Sequence, residues 1–151
     1  VDCQAEASLE AVLWKKLCWN IPFNGLAIAG GSVTTDRILA DPALNERAYQ
    51  LMKEVQAAAK ARGHPFEDLH IKRQFVVTAG MGPYRPSSLI DFVEGREVEV
   101  DGIWGEPLRR GTEAGVAMPL AISVASCVDF PTKKEMFIAG TSISGGRPMP
   151  R

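Results

Sequence analysis

From Ser8 onward, apolar residues recur at Leu9, Val12, Leu13 and Leu17, three or four positions apart, which is the repeat of one helical face. Ser8 carries the hydroxyl an N-cap uses, so a helix is predicted to begin there. It is expected to continue past Pro22, whose missing amide hydrogen bends the rod or opens a gap in its hydrogen bonding. Gly30-Gly31 is its stop. A short helix fits Thr35 to Ala40. Asp41-Pro42 then pairs an N-cap with a first-turn proline at the head of PALNERAYQLMKEVQAAAKARG, where Leu44, Ala48, Leu51, Met52, Val55, Ala58 and Ala59 share one side. Gly63 ends that run.

Beyond Gly63 the pattern weakens. HPFEDLHIKRQFVVTAGMGPYRP is predicted to be helical in part, although FVV imitates a strand. SSLIDFVEG makes a short helix closed by Gly95. REVEVDGIWGEP alternates like a strand at 96–101, but the glycines that follow favour a connecting segment. GEPLRRGTEAG gives another short helix with Gly115 at its end, and Pro119 to Cys127 suits the start of a buried one. The sum is about six helices with no alternation of strands and helices, so an all-α fold is predicted. Residues 1–130 read as one helical domain, and 131–151, rich in Gly, Pro and Ser, as a loosely held or disordered tail.

Composition narrows the function classes. The chain has 151 residues, 46% hydrophobic and 23% charged, within the range of a single globular domain. Its 17 basic and 18 acidic residues leave a net charge of -1, and neither half is strongly basic, which gives no support to a nucleic-acid groove or an anionic membrane surface. No apolar run approaches the roughly 20 residues of a membrane span, and no signal peptide is visible. Cys3, Cys18 and Cys127 are odd in number and widely spaced, so neither a disulfide framework nor a zinc knuckle is predicted. A reduced, cytoplasmic protein is expected. Val1 at the first position suggests a piece trimmed from a larger protein.

Candidate chemistry begins in WKKLCWNIPFNG, where Lys16, Asn20 and Asn24 stand four apart. Each step of four advances about 40° around a helix, so the three form one polar stripe in a segment with little other solvated surface. Asparagine offers a donor and an acceptor; lysine offers three donors, a charge and a proton when partial burial tunes its acidity. That set suits a small polyoxygenated substrate. The bland alternative is that Lys16 is a surface lysine beside Lys15, with asparagines that cap or bridge backbone left open by Pro22. A second polar group lies in PSSLIDFVEGREVEVDG. There Ser87 and Ser88 can cap a helix, and its amides with a hydroxyl would seat a carboxylate. Glu97, Glu99 and Asp101 alternate, and at least one must be solvated or paired, Lys16 being the natural partner. As plain structure, Ser87 is an N-cap and Glu99 a loop carboxylate.

Together, KKLCWNIPFNGL, SSLIDFVEGREVEVDGIWG and GVAMP resemble the C-terminal, substrate-binding domain of the ketopantoate reductases, or 2-dehydropantoate 2-reductases, over roughly residues 8 to 128. The resemblance implies a helical domain of the 6-phosphogluconate dehydrogenase C-terminal-like type, which packs on an N-terminal Rossmann domain that binds NADPH. It implies hydride transfer to the keto carbon of ketopantoate, giving pantoate, a precursor of pantothenate and coenzyme A. The family's K-x-x-x-N-x-x-x-N pattern falls on Lys16, Asn20 and Asn24, which makes Lys16 the group that polarises the keto oxygen and donates the proton, with the asparagines binding substrate. The S-x-x-x-D-x-x-x-G-R-x-x-E pattern falls on Ser87, Asp91, Gly95, Arg96 and Glu99. Ser87 would then bind the substrate carboxylate, while Glu99 accepts from a substrate hydroxyl and orients Lys16. Asp91 and Arg96 would hold local structure, bridging to backbone or to each other.

Trp104 stands where the family usually has asparagine, and Ser88 where it has methionine. A tryptophan facing inward would reshape the cleft. No G-x-G-x-x-G follows a strand, and GMG at 80–82 lacks both the βα setting and the third glycine, so NADPH is assigned to a nucleotide domain outside this chain and the chain alone is expected to be inactive. No metal site is predicted. The implied partners are a small 2-keto acid, the Rossmann domain and, through apolar helix surface left exposed, a second copy in a homodimer. Two alternatives stand beside this reading: a related dehydrogenase acting on another small 2-keto or hydroxy acid, and a non-catalytic helical interaction module, in which Lys16 and Glu99 would lie far apart.

Overall fold

A computed structural model describes residues 8–140, with side chains to Asp129. The described residues form seven α-helices and one π-helical turn, with no strand among them: α1 (Leu9–Ala29), α2 (Thr35–Ala40), α3 (Pro42–Ala61), α4 (Asp68–Gly80), α5 (Ser87–Val93), the π-helical turn (Asp101–Gly105), α6 (Glu106–Glu113) and α7 (Pro119–Gly140). The fold is all-α. The last helix runs past the boundary expected at residue 130, and residues 141–151 of the expected tail lie outside the described residues.

The first helix is the axle of the molecule. α2, α3, α4, α5, α7 and the π-helical turn all pack against it. Every residue from Ile21 to Ile28 is buried, so its second half is enclosed on every side, and Asn24 is the one polar side chain in that stretch. Its start is the predicted one: Ser8 Oγ accepts from the Ala11 amide at 3.2 Å. The helix continues unbroken through Pro22. At Gly25 the approach of α7 is so close that a β-carbon would collide with the Val124 side chain, so the crossing of these two helices requires glycine.

Around this axle, α3 lays Leu51, Met52, Val55 and Ala58 into the core from a start capped by Asp41, whose Oδ1 accepts from the Ala43 and Leu44 amides at 2.8 and 3.0 Å. α4 is a full helix that includes Phe75, Val76 and Val77, so the strand-like triplet is helical throughout. Its anchor to α1 is polar as well as apolar: Trp19 donates its indole N–H to Thr78 Oγ1 at 2.9 Å, and Phe75 meets Phe23 edge to face. That anchoring overrides the weak preference of β-branched residues for strands. The Cys18 thiol is buried and pushed up to about 12, which keeps it protonated and inert.

α7 starts against α3. Both oxygens of Glu54 accept there, from the Leu120 and Ala121 amides at 2.9 Å each, satisfying two of the orphan donors of the helix N-terminus. Exposed apolar side chains remain at Leu9, Val12 and Leu13 on α1 and at Leu69, Val76 and Val77 on α4. No helix of the described residues is long and apolar enough to cross a membrane.

Candidate active site

The polar stripe of α1 lines a cleft of about 400 Å³ whose opposite wall is built from the start of α5, the segment around Glu99, the π-helical turn and α6. Lys16, Asn20, Asn24, Ser87 and Glu99 all face it, joined by the apolar side chains of Leu13, Leu17, Ile103 and Pro107. The stripe is graded in depth: Lys16 is exposed, Asn20 is half-buried and Asn24 is buried. A ligand resting on it would therefore have one end near solvent and the other in the protein.

Asn24 ties the two walls together. Its Oδ1 accepts from the Ser88 amide at 3.1 Å, a buried contact across 64 positions of sequence. One lone pair of that oxygen is thereby engaged, and the carboxamide keeps its two N–H donors for whatever enters the cleft. Ser87 does not cap α5: the N-cap position is held by Pro86, and no side chain caps the helix locally. The expected seat of free amides is likewise reduced, because the Ser88 amide is taken by Asn24. Ser87 instead opens the helix as an exposed hydroxyl on the cleft.

Glu99 and Lys16 share the cleft without an ion pair between them, so the predicted pairing is not formed among the described residues. The Glu99 carboxylate lies over Gly102, in space that any larger residue at 102 would contest. Of the alternating acids, Asp101 is the one that pairs, to Arg109 Nη1 and Nη2 at 2.9 and 3.2 Å, and that guanidinium holds its pKa below the usual carboxylate range. Asp91 and Arg96 hold local structure as expected: Arg96 donates from Nε to Asp91 Oδ1 at 2.9 Å and from its backbone amide to the Asp91 carbonyl at 2.8 Å.

Trp104 does not face inward to the cleft. It is fully buried among α1, α7 and the π-helical turn, with Nε1 donating to the Ile21 carbonyl at 3.3 Å and its ring beside Gly25. Ser88 is buried too. Both departures from the family pattern thus act on the scaffold, and the cleft keeps Ile103 and Gly102 as its nearer surface.

The cleft also holds groups that no local pattern announces: Glu10, Glu106 and Arg110. Glu10 accepts from Arg110 Nη1 at 3.1 Å and is approached by Arg62 at 3.5 Å and His64 at 3.3 Å. Burial pushes its pKa up, but hydrogen bonds from Trp14 and His64 and the nearby charges outweigh that, and the net shift is downward. Arg110 also donates from Nε to Glu106 at 2.9 Å, and Glu106 in turn holds Arg109 at 2.6 Å. The residues that meet here are as many as 100 positions apart. Only a wall-to-wall view of the fold brings them together.

Among the described residues no group of three His, Cys, Asp or Glu side chains could hold a metal ion. Gly80 and Gly82 lie at the end of α4, not at a strand-to-helix turn, so these residues do not fit the pyrophosphate of a dinucleotide.

The family model described as ketopantoate reductase PanE/ApbA C terminal matches residues 8–131. The chain belongs to the ketopantoate reductase C-terminal family. A 2-dehydropantoate 2-reductase of Nostoc sp. is 43% identical over 106 residues, 70% of this chain and 33% of the relative. The 2-dehydropantoate 2-reductase structure from Geobacter metallireducens superposes with a TM-score of 0.78 at 35% identity, covering 82% of this chain and 41% of that one. The corresponding enzyme from Methylococcus capsulatus gives 0.74 at 30% identity, over 90% and 42%. The chain therefore spans a third to two-fifths of the ketopantoate reductases it matches.

Proposed function

We propose that this chain is the substrate-binding half of an NADPH-dependent reductase that converts ketopantoate to pantoate, with Lys16 as its acid. The observation that carries the reading is that Lys16, Asn20 and Asn24 on one helix and Ser87 and Glu99 from a distant stretch line a single cleft. A non-catalytic module would give these groups no reason to meet. NADPH, held by a nucleotide domain outside this chain, supplies the hydride when bound. This chain binds and orients the keto acid.

The Lys16 ammonium stands at the keto oxygen and polarises the carbonyl; as the carbonyl pair moves onto oxygen, Lys16 gives up a proton and the alcohol is formed. Asn20 and the free N–H donors of Asn24 hold substrate oxygens deeper in the cleft. Ser87 donates to the carboxylate, and Glu99 accepts from a hydroxyl. Leu13, Leu17 and Ile103 cover the apolar part of the substrate and limit water around the developing charge. The test is turnover of ketopantoate with NADPH by the full-length protein and its Lys16→Ala variant. Loss of a proton donor and its charge is expected to lower kcat by about 10²- to 10⁴-fold. A variant that turns over at the parental rate would end the assignment.

A further inference from the structure

The ion pairs at the end of the cleft form one continuous chain from one wall to the other. Glu10 lies in the first turn of α1, about 9 Å along the helix axis from Lys16. Arg110 on α6 bridges Glu10 and Glu106, Glu106 holds Arg109, and Arg109 grips Asp101, two residues beyond Glu99. α6 packs mainly on the π-helical turn and on α3, so the Arg110–Glu10 bridge is its polar tie to the helix that carries Lys16. Arg62 and His64, at the end of α3, hold the other side of Glu10.

We propose that this chain of ion pairs is a positioning device, in which Arg110 and Glu10 set the separation of Lys16 from Glu99 across the cleft. The proposal rests on the reading of Lys16 as the acid. Magnitude decides between positioning and stability. The side chains of Arg110 and Glu10 are 37% and 29% exposed, and ion pairs with that much water around them contribute little to global stability. Misplacing a reacting group by an ångström, in contrast, costs catalysis about 10²-fold. The cleft is also where a change would register, because Glu10, Glu106 and Arg110 line it together with Lys16 and Glu99.

The experiment uses the full-length protein with NADPH and ketopantoate, and compares Arg110→Ala, Glu10→Gln, the double variant and Lys16→Ala. Arg110→Ala and Glu10→Gln are each expected to lower kcat about tenfold or more, with KM for the keto acid changed less than about threefold. The double variant is expected to be no slower than the slower single, because both substitutions cut the same link. Guanidinium ion added to Arg110→Ala is expected to recover part of the lost kcat. Glu10→Gln keeps the side-chain volume and decides the matter should Arg110→Ala fail to fold. A raised KM at unchanged kcat would make Arg110 a substrate ligand and overturn the proposal, as would losses that multiply in the double variant. If Lys16→Ala keeps its turnover, the reading of the acid falls first; if it is inactive while Arg110→Ala and Glu10→Gln run at the parental kcat, the positioning device alone is refuted.

Discussion

Two asparagines of one stripe serve different ends. Asn24 is buried and accepts from the Ser88 amide, whereas Asn20 is half-buried and has no such bond. Asn24→Leu leaves a buried backbone donor unpaired, so a loss of about 1–3 kcal/mol in unfolding free energy is expected, readable by urea titration. Asn20→Ala is expected to move stability by less than about 0.5 kcal/mol while weakening substrate binding. If both variants unfold alike, the bond from Ser88 is not what holds α5 to α1. The plain reading of these asparagines as bridges for buried backbone therefore applies to Asn24, although the backbone it serves belongs to α5 and not to the gap at Pro22. Spacing gave the face. It could not tell which member of the stripe was already occupied, because the partner lies 64 positions away.

At the scale of elements, capping explains what could be read in advance. Ser8 and Asp41 satisfy amides two or three residues ahead of them, so the starts of α1 and α3 are written locally. α7 is capped from another helix: Glu54 on α3 accepts from Leu120 and Ala121. Glu54→Ala is expected to cost about 0.5–2 kcal/mol, the usual range for a lost cap, and to increase amide exchange in the first turn of α7 more than elsewhere. Uniform exchange throughout the chain would show that Glu54 is not a local cap. The same distinction accounts for the Ser87 cap that is not made and for the weak pattern of α4. α5 starts at Ser87 without a side-chain cap of its own because Asn24 serves its Ser88 amide, and α4 is helical despite Val76 and Val77 because Trp19 and Phe23 hold its inner face. The π-helical turn has no local signature either. It carries Trp104, whose Nε1 donates to the carbonyl of Ile21, 83 positions away.

For the whole molecule, the acidic partners of the arginines and lysines set how stability answers to pH. Asp68 is held low by its hydrogen bond from Lys53, Asp101 by Arg109, and Glu106 by Arg110 and then Arg109. Their folded-state values lie below those of the unfolded chain, so the unfolded chain takes up protons first as pH falls. The stabilisation they give is complete above the ordinary carboxylate range, near pH 4, and is lost as pH drops through the depressed values. All three are exposed enough that water and salt weaken the effect. Thermal melts are expected to be flat between about pH 5 and 8 and to fall below about pH 4, with a smaller acid step in Arg109→Gln, which releases Asp101 and takes from Glu106 the lesser of its two partners. With a net charge of -1, the neutral protein carries little overall repulsion, so added salt at pH 7 acts mainly by screening these pairs and should lower Tm slightly. A rise in Tm with salt, or an Arg109→Gln variant with the parental acid step, would mean that general charge repulsion governs acid unfolding. In that case the chain of pairs along the cleft would have no measurable share in holding the fold, which is the condition under which its effect on turnover can be measured cleanly.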